Sequence, residues 1–205
     1  MKKILIATTN PGKFNEINEL MAHLDIQLLS LNDFPDLVSP EETGQTYQEN
    51  ALIKAKGYYE QLREPLPVIG EDSGIIVERL AEELGVHTRR WGAGPNASDQ
   101  EWIDFFLNRM AEFVNQEDRR AHFVSHVILY APHLYPEHIS LEGRSSGYIT
   151  PTLEAPLVAG VPLSSCFKPD GHGAVYTALP VDVKNQISHR GKAMQKLLIE
   201  LEKLI

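Results

Sequence analysis

The opening of the chain joins a strand to a helix through a polar turn, and this junction restricts the possible folds more than any other stretch. Ile4-Leu5-Ile6-Ala7 is a short unbroken apolar run, the pattern of a fully buried strand. Thr8-Thr9-Asn10-Pro11-Gly12-Lys13 interrupts it. Ile17, Leu20, Met21 and Leu24 then recur at i, i+3, i+4 and i+7, which is one face of a helix. A strand buried on both faces needs helices on both sides of its sheet, so the chain starts as an α/β protein.

The rest of the sequence continues in the same way. A second strand is expected at Leu28-Leu29, followed by a loop over residues 32–43. Thr46-Tyr47-Gln48-Glu49 and Ser98 to Glu101 both have capping-box spacing. The first should open a helix carrying Tyr47, Ala51, Tyr58 and Leu62 and ending before Pro65. The second should open an aromatic helix with Trp102, Phe105, Phe106 and Phe113. Val68-Ile69 and Ile75-Ile76-Val77 read as two strand pieces flanking the turn-like Gly70-Glu71-Asp72-Ser73-Gly74. Residues 122–131 and 139–149 read as strands, residues 151–165 as a proline-containing loop, and residues 188–205 as one last helix. The prediction is a single α/β domain over residues 1–205: an elongated mixed β-sheet flanked by helices, two lobes with a central cleft, and residues 120–150 as a β lobe.

Composition matters mainly for what it excludes. A net charge of −9 disfavours non-specific binding to nucleic acid or to anionic lipid. It still permits a cationic cleft within an acidic surface. The single cysteine, Cys166, cannot form an internal disulfide, and no apolar run approaches the ~20 residues of a membrane span. A soluble, cytoplasmic protein with neither nucleic-acid nor membrane partners is expected.

Four segments carry chemistry. Thr8 to Lys13 places hydroxyl and amide donors and a lysine at a helix start, where free N–H groups attract anions; an ordinary N-capping turn would look the same. Glu71-Asp72, flanked by Gly70 and Gly74, suits a hard cation such as Mg²⁺ or the positioning of a water, and equally an acidic turn. Glu41-Glu42 could complete a metal site or form a solvated loop, and Asn50 and Lys54 share one helix face behind it. Lys184, His189, Arg190 and Lys192 cluster at the mouth of the last helix, against the macrodipole preference for acids there. Two donor-rich helix starts with two carboxylate turns form the set a Mg²⁺–polyphosphate site requires. Cys166 reads as a buried small hydrophobe, and Arg89-Arg90-Trp91 as a base-stacking element or a surface pair beside a packing tryptophan.

In this order, Thr8–Lys13, Glu41–Lys54, Gly70–Gly74, Phe167–Gly171 and Ser188–Ala193 resemble the inosine triphosphate pyrophosphatase family, which clears noncanonical purine nucleoside triphosphates. The resemblance implies Mg²⁺-dependent hydrolysis of ITP, dITP and XTP to monophosphate and pyrophosphate by a homodimer. It assigns Thr8, Asn10 and Lys13 to the triphosphate and Glu42 and Asp72 to the metal. Asp72 also becomes the general base, and Ser73, Lys184, Ser188, His189 and Arg190 contact the substrate.

The chain departs from the family at one place. Where the family carries an aromatic-Gly-aromatic-Asp element that holds the base, this sequence reads Val161-Pro162-Leu163-Ser164. The phosphate and metal end of the site carries over, and the base end does not. A nucleotide-binding module without turnover, altered base specificity, or a different phosphorylated substrate therefore stands as the alternative.

Overall fold

A computed structural model describes residues 2–84, 86, 91–94 and 96–202. Along the chain run β1 (Lys2–Ala7), α1 (Pro11–Met21), β2 (Ile26–Leu29), α2 (Tyr47–Tyr59), β3 (Val68–Val77), α3 (Ala81–Leu84), α4 (Asp99–Arg109), β4 (Arg120–Tyr130), β5 (Ile139–Ile149), β6 (Phe167–Pro169), α5 (Val181–Ile187) and α6 (His189–Glu202). The strands form one mixed sheet in the order β2-β1-β3-β4-β5-β6. β1 lies parallel to both β2 and β3, and β3, β4, β5 and β6 pair antiparallel in succession. The α/β reading is thus the observed fold class, and the strands of residues 120–149 continue the same sheet.

Side-chain alternation in β1 divides the core as a strand covered on both faces must. Ile4 and Ile6 pack with Ile17, Met21, Met194 and Leu197 of α1 and α6. Leu5 and Ala7 pack on the opposite face with Ala51, Ala55 and Tyr58 of α2. A third cluster gathers Trp102, Ile103 and Phe106 of α4 against Ile75, Phe123, Phe167 and Tyr176.

Local signals set the helix starts. The Thr46 hydroxyl accepts from the Glu49 N–H at 3.1 Å while the Glu49 carboxylate accepts from the Thr46 N–H at 3.1 Å. Ser98 and Glu101 repeat this reciprocal pair before α4.

Leu62 and Phe113 fall outside the helices expected to carry them, which end at Tyr59 and Arg109, and two further expectations change at the site. The acidic segment is not a turn between two strand pieces: residues 68–77 form one continuous strand, paired with β4 from Val68 opposite Tyr130 to Val77 opposite Ala121. α2 crosses directly over it, and a Cβ on Gly70 would strike the Ala51 carbonyl and lie 2.8 Å from the Ala55 Cβ. The glycine therefore serves close helix–strand approach within the strand. The last helix is also interrupted. α5 ends at Ile187, Ser188 is extended (φ −67°, ψ 153°), and α6 begins at His189, so Lys184 lies on a different helix from His189 and Arg190. Residues 203–205 lie outside the described residues. No helix among the described residues is long and apolar enough to cross a membrane.

Candidate active site

The end of β1, the start of α1, the middle of β3 and the α5–α6 junction converge on one cavity of about 420 Å³. Every site residue expected from sequence lines it: Thr8, Asn10, Lys13, Glu42, Asp72, Ser73, Lys184, Ser188, His189 and Arg190. Glu16 and Lys54 line it too. Neither carries a local sequence signal that assigns it to the site.

Asn10 is the N-cap of α1. Its side-chain oxygen accepts from the Gly12 and Lys13 N–H groups at 2.9 and 3.2 Å, and its own N–H donates to the Thr8 hydroxyl at 3.2 Å. Pro11 takes the first helical position, where its missing N–H costs nothing. The Asn10 amide nitrogen donates to the Gly160 carbonyl at 2.9 Å, tying this loop to the 158–161 segment. Both ends of the Asn10 amide therefore hold the shape of the loop.

Beneath the loop lies a buried ion network. Glu71, 1% exposed, accepts from the Arg190 guanidinium at 3.2 Å and from the Ser125 hydroxyl at 2.9 Å. The Lys13 ammonium lies 2.8 Å from its other oxygen. Burial alone would raise the Glu71 carboxyl, but Arg190 and Lys13 outweigh it and hold the group well below the usual carboxylate range. Glu16 lies against the same cations, pairing with Arg190 and, at 2.6 Å, with Lys184. Arg190 also donates to the Ser73 hydroxyl at 3.1 Å. Three cations from three helices are thus fixed around one end of the cavity.

Asp72 heads a second cluster. Its carboxylate accepts from the Lys54 ammonium at 2.9 Å, and Glu42 lies 3.6 Å from the same nitrogen. Burial raises the Asp72 carboxyl above its ordinary value, with Lys54 and Lys13 offsetting only part of the effect. The Asp72 and Glu42 carboxylates share one cation here, so their spacing suits a positive charge. Among the described residues no group of three or more His, Cys, Asp or Glu could hold a metal. Two carboxylates are what Mg²⁺ uses when phosphate oxygens and water fill its other positions.

The other end of the cavity is apolar. His189 stacks on Phe123, ring centroids 4.5 Å apart, with Tyr176 behind. Ile75, Trp102 and Leu163 pack with Phe123 and Tyr176 on this side, Val86 and Ser164 also line the cavity, and Val161 lies where this wall meets the start of α1. Residues 162–165 form a short 3-10 turn within the segment expected to be a loop. Trp91 packs edge-on against Phe105 at 5.1 Å, while Arg89 and Arg90 lie outside the described residues. Cys166 is fully buried, and burial pushes its thiol up to about 12, which matches a packing role.

Burial, reinforced by the neighbouring Arg190 charge, pushes the His189 imidazole down to about 3 from its ordinary 6.5. Between these values the unfolded chain binds a proton that the folded chain does not, so this contribution to stability is lost as pH falls. From pH 6.5 to pH 5 the wild type should lose roughly 1.5 kcal/mol more stability than His189→Phe, which keeps a ring on Phe123. Urea denaturation of both proteins at the two pH values measures the difference. Identical pH dependence would show that His189 is not held neutral.

Known proteins are similar to this chain in sequence and in fold. The sequence profile of the Ham1 family matches residues 4–200. A dITP/XTP pyrophosphatase of Bacillus anthracis is 36% identical over 197 residues, spanning 96% of this chain and 95% of the relative. The structure of a HAM1 protein from Coxiella burnetii superposes with a TM-score of 0.82 at 32% identity, covering 99% of this chain and 100% of that one. The Staphylococcus aureus Ham1 protein gives 0.80 at 30% identity, with both chains covered over 100% of their length.

Proposed function

The chain belongs to the Ham1 family, and we propose that its cleft hydrolyses noncanonical purine nucleoside triphosphates (ITP, dITP and XTP) to monophosphate and pyrophosphate with Mg²⁺ as cofactor. The observation that carries this reading is the division of one cavity into two ends. Lys13, Lys184 and Arg190 crowd one end beside the Asp72–Glu42 pair, and an apolar wall with a histidine–phenylalanine stack forms the other. A polyphosphate needs the first end and a heterocyclic base the second.

In this reading Glu42 and Asp72 would hold Mg²⁺, which would supply neutralisation of phosphate charge. Lys13 and Arg190 exchange part of their pairing with Glu71 for phosphate oxygens, and Lys184 does the same from Glu16. Asp72, whose carboxylate faces the cavity, would orient or deprotonate the attacking water. Lys54 keeps the two metal-binding carboxylates facing one another.

The base end supports a second statement, about selectivity. Val161 and Leu163 offer apolar contact without a stacking face, and Ser164 offers one short hydroxyl. A site that hydrogen-bonds a base edge rejects the wrong base strongly, whereas an apolar pocket discriminates only ~10–200-fold. Pyrophosphate release from ITP, XTP, GTP and ATP at one Mg²⁺ concentration tests both statements. Turnover of ITP and XTP is expected, with kcat/KM for ITP below about 10³ times that for GTP. A larger ratio would place a strong base reader elsewhere in the cleft, and no turnover of any of the four would leave a binding module or another phosphorylated substrate.

A further inference from the structure

The apolar wall formed by residues 161–164 meets the phosphate-binding loop at Gly160, whose two flanking peptide groups carry the contact. The Gly160 carbonyl accepts from the Asn10 amide at 2.9 Å, and its N–H donates to the Asp99 carboxylate at 2.7 Å. Asp99 lies in the first turn of α4, one helical turn before Trp102, which lines the same cavity. Gly160 has φ +78°, and a Cβ there would collide with the Asn10 side chain. A glycine is therefore required for the backbone to reach both partners. On the other side of the contact, a Cβ on Gly12 would lie 2.7 Å from the Ala159 carbonyl oxygen. The start of α1 and residues 159–160 thus touch backbone to backbone. Residues 158–161 are not part of a strand, so these two hydrogen bonds tether the start of the turn, while the Thr177 hydroxyl donating to the Ser164 carbonyl at 3.2 Å and the burial of Leu163 hold its far end.

We infer that Asp99 is a positioning residue which, through Gly160, holds the 161–164 turn at a set distance from the phosphate-binding loop. This rests on the proposed function, because the positioned turn is the wall assigned there to the base. The helix start contributes as well: Ser98 and Glu101 cap α4 rigidly, so the Asp99 carboxylate is presented from a fixed point. A carboxylate accepting from a backbone N–H makes a charge-assisted bond, stronger than a neutral one. Its loss leaves the Gly160 N–H without that acceptor and removes the hydrogen bond between α4 and the turn, while the packing of Leu163 on α4, the Asn10 contact and the ion network under the phosphate loop stay in place.

The test compares wild type, Asp99→Ala and Asp99→Asn in two measurements. In peptide-level hydrogen exchange, residues 158–164 should lose protection by about tenfold or more in Asp99→Ala. They should keep most of it in Asp99→Asn, which retains an acceptor oxygen. In steady-state kinetics, Asp99→Ala should raise KM for ITP by about tenfold while inhibition by inorganic tripolyphosphate, which needs only the phosphate end, stays within about twofold. Unchanged exchange in Asp99→Ala would overturn the inference. So would increased exchange with an unchanged KM, or an equal loss of tripolyphosphate binding. Exchange needs no turnover. A wild-type protein that hydrolyses no nucleotide would remove the proposed function, while the exchange data would still decide whether Asp99 holds the turn.

Discussion

Asp72→Asn is expected to lower kcat by about 10²–10⁴ and leave the protein folded. Asp72 lies in the middle of β3, its carboxylate facing the cavity, and its backbone pairs with His126 of β4 whatever its side chain. Asparagine keeps the shape and an oxygen for the Lys54 ammonium. It cannot accept a proton from water, and it binds a hard cation far less well than a carboxylate does. Both losses fall on the chemical step more than on nucleotide recognition, so kcat should drop with a smaller change in KM. The measurement is steady-state pyrophosphate release from ITP, with circular dichroism to confirm the fold. Near wild-type turnover in a folded variant would remove Asp72 from the chemistry.

Arg190→Leu should have the largest effect on stability, about 3–5 kcal/mol, the range for breaking a buried ion pair by removing one partner. Arg190 is 3% exposed and pairs with Glu71, Glu16 and the Ser73 hydroxyl. Without it the fully enclosed Glu71 retains Lys13 as its cation, and Glu16 retains Lys184. Two carboxylates that burial would otherwise neutralise are then under-compensated. Glu71→Gln added to Arg190→Leu should recover part of the loss, because the glutamine removes the stranded charge. Lys13→Ala makes a useful contrast. Lys13 has more solvent access, with 17% of its side chain exposed. Its removal should weaken triphosphate binding by about 1.5–3 kcal/mol with a smaller cost to the fold. Urea denaturation and ITP titration separate the two effects. A loss below about 1 kcal/mol in Arg190→Leu would show that the network does not support the fold.

Arg190 also shows how the site was only partly legible in the sequence. Its cationic character at a helix start pointed to an anion. Its resting partners, Glu16 and Glu71, lie 174 and 119 positions away and carry no local signature. Glu16 could have been noticed one helical turn after Lys13 on α1, since i, i+3 residues share a face. Nothing in that spacing says the face meets Lys184 and Arg190. The i, i+4 spacing of Asn50 and Lys54 puts them on one helix face, yet only the crossing of α2 over β3 brings the Lys54 ammonium between Glu42 and Asp72.

What the sequence determined by itself is whatever depends on contacts within a few residues. The capping boxes at Thr46 and Ser98, the N-cap at Asn10 with Pro11 behind it, and the period of apolar residues in α1 each stabilise their element locally, so the elements could be read in place. The order of the motifs likewise identified the family. Tertiary structure alone decided whether Glu71-Asp72 belonged to a turn or a strand. Glycines and acids favour a turn locally, but antiparallel pairing with β4 and the close passage of α2 over Gly70 outweigh that preference. It also decided that the last helix breaks at Ser188, whose hydroxyl accepts from the Gly191 N–H at 3.0 Å, and that Gly160 joins the two ends of the cleft. These outcomes depend on burial and on partners distant in sequence, where the energy of a contact is set by what the rest of the fold brings to it.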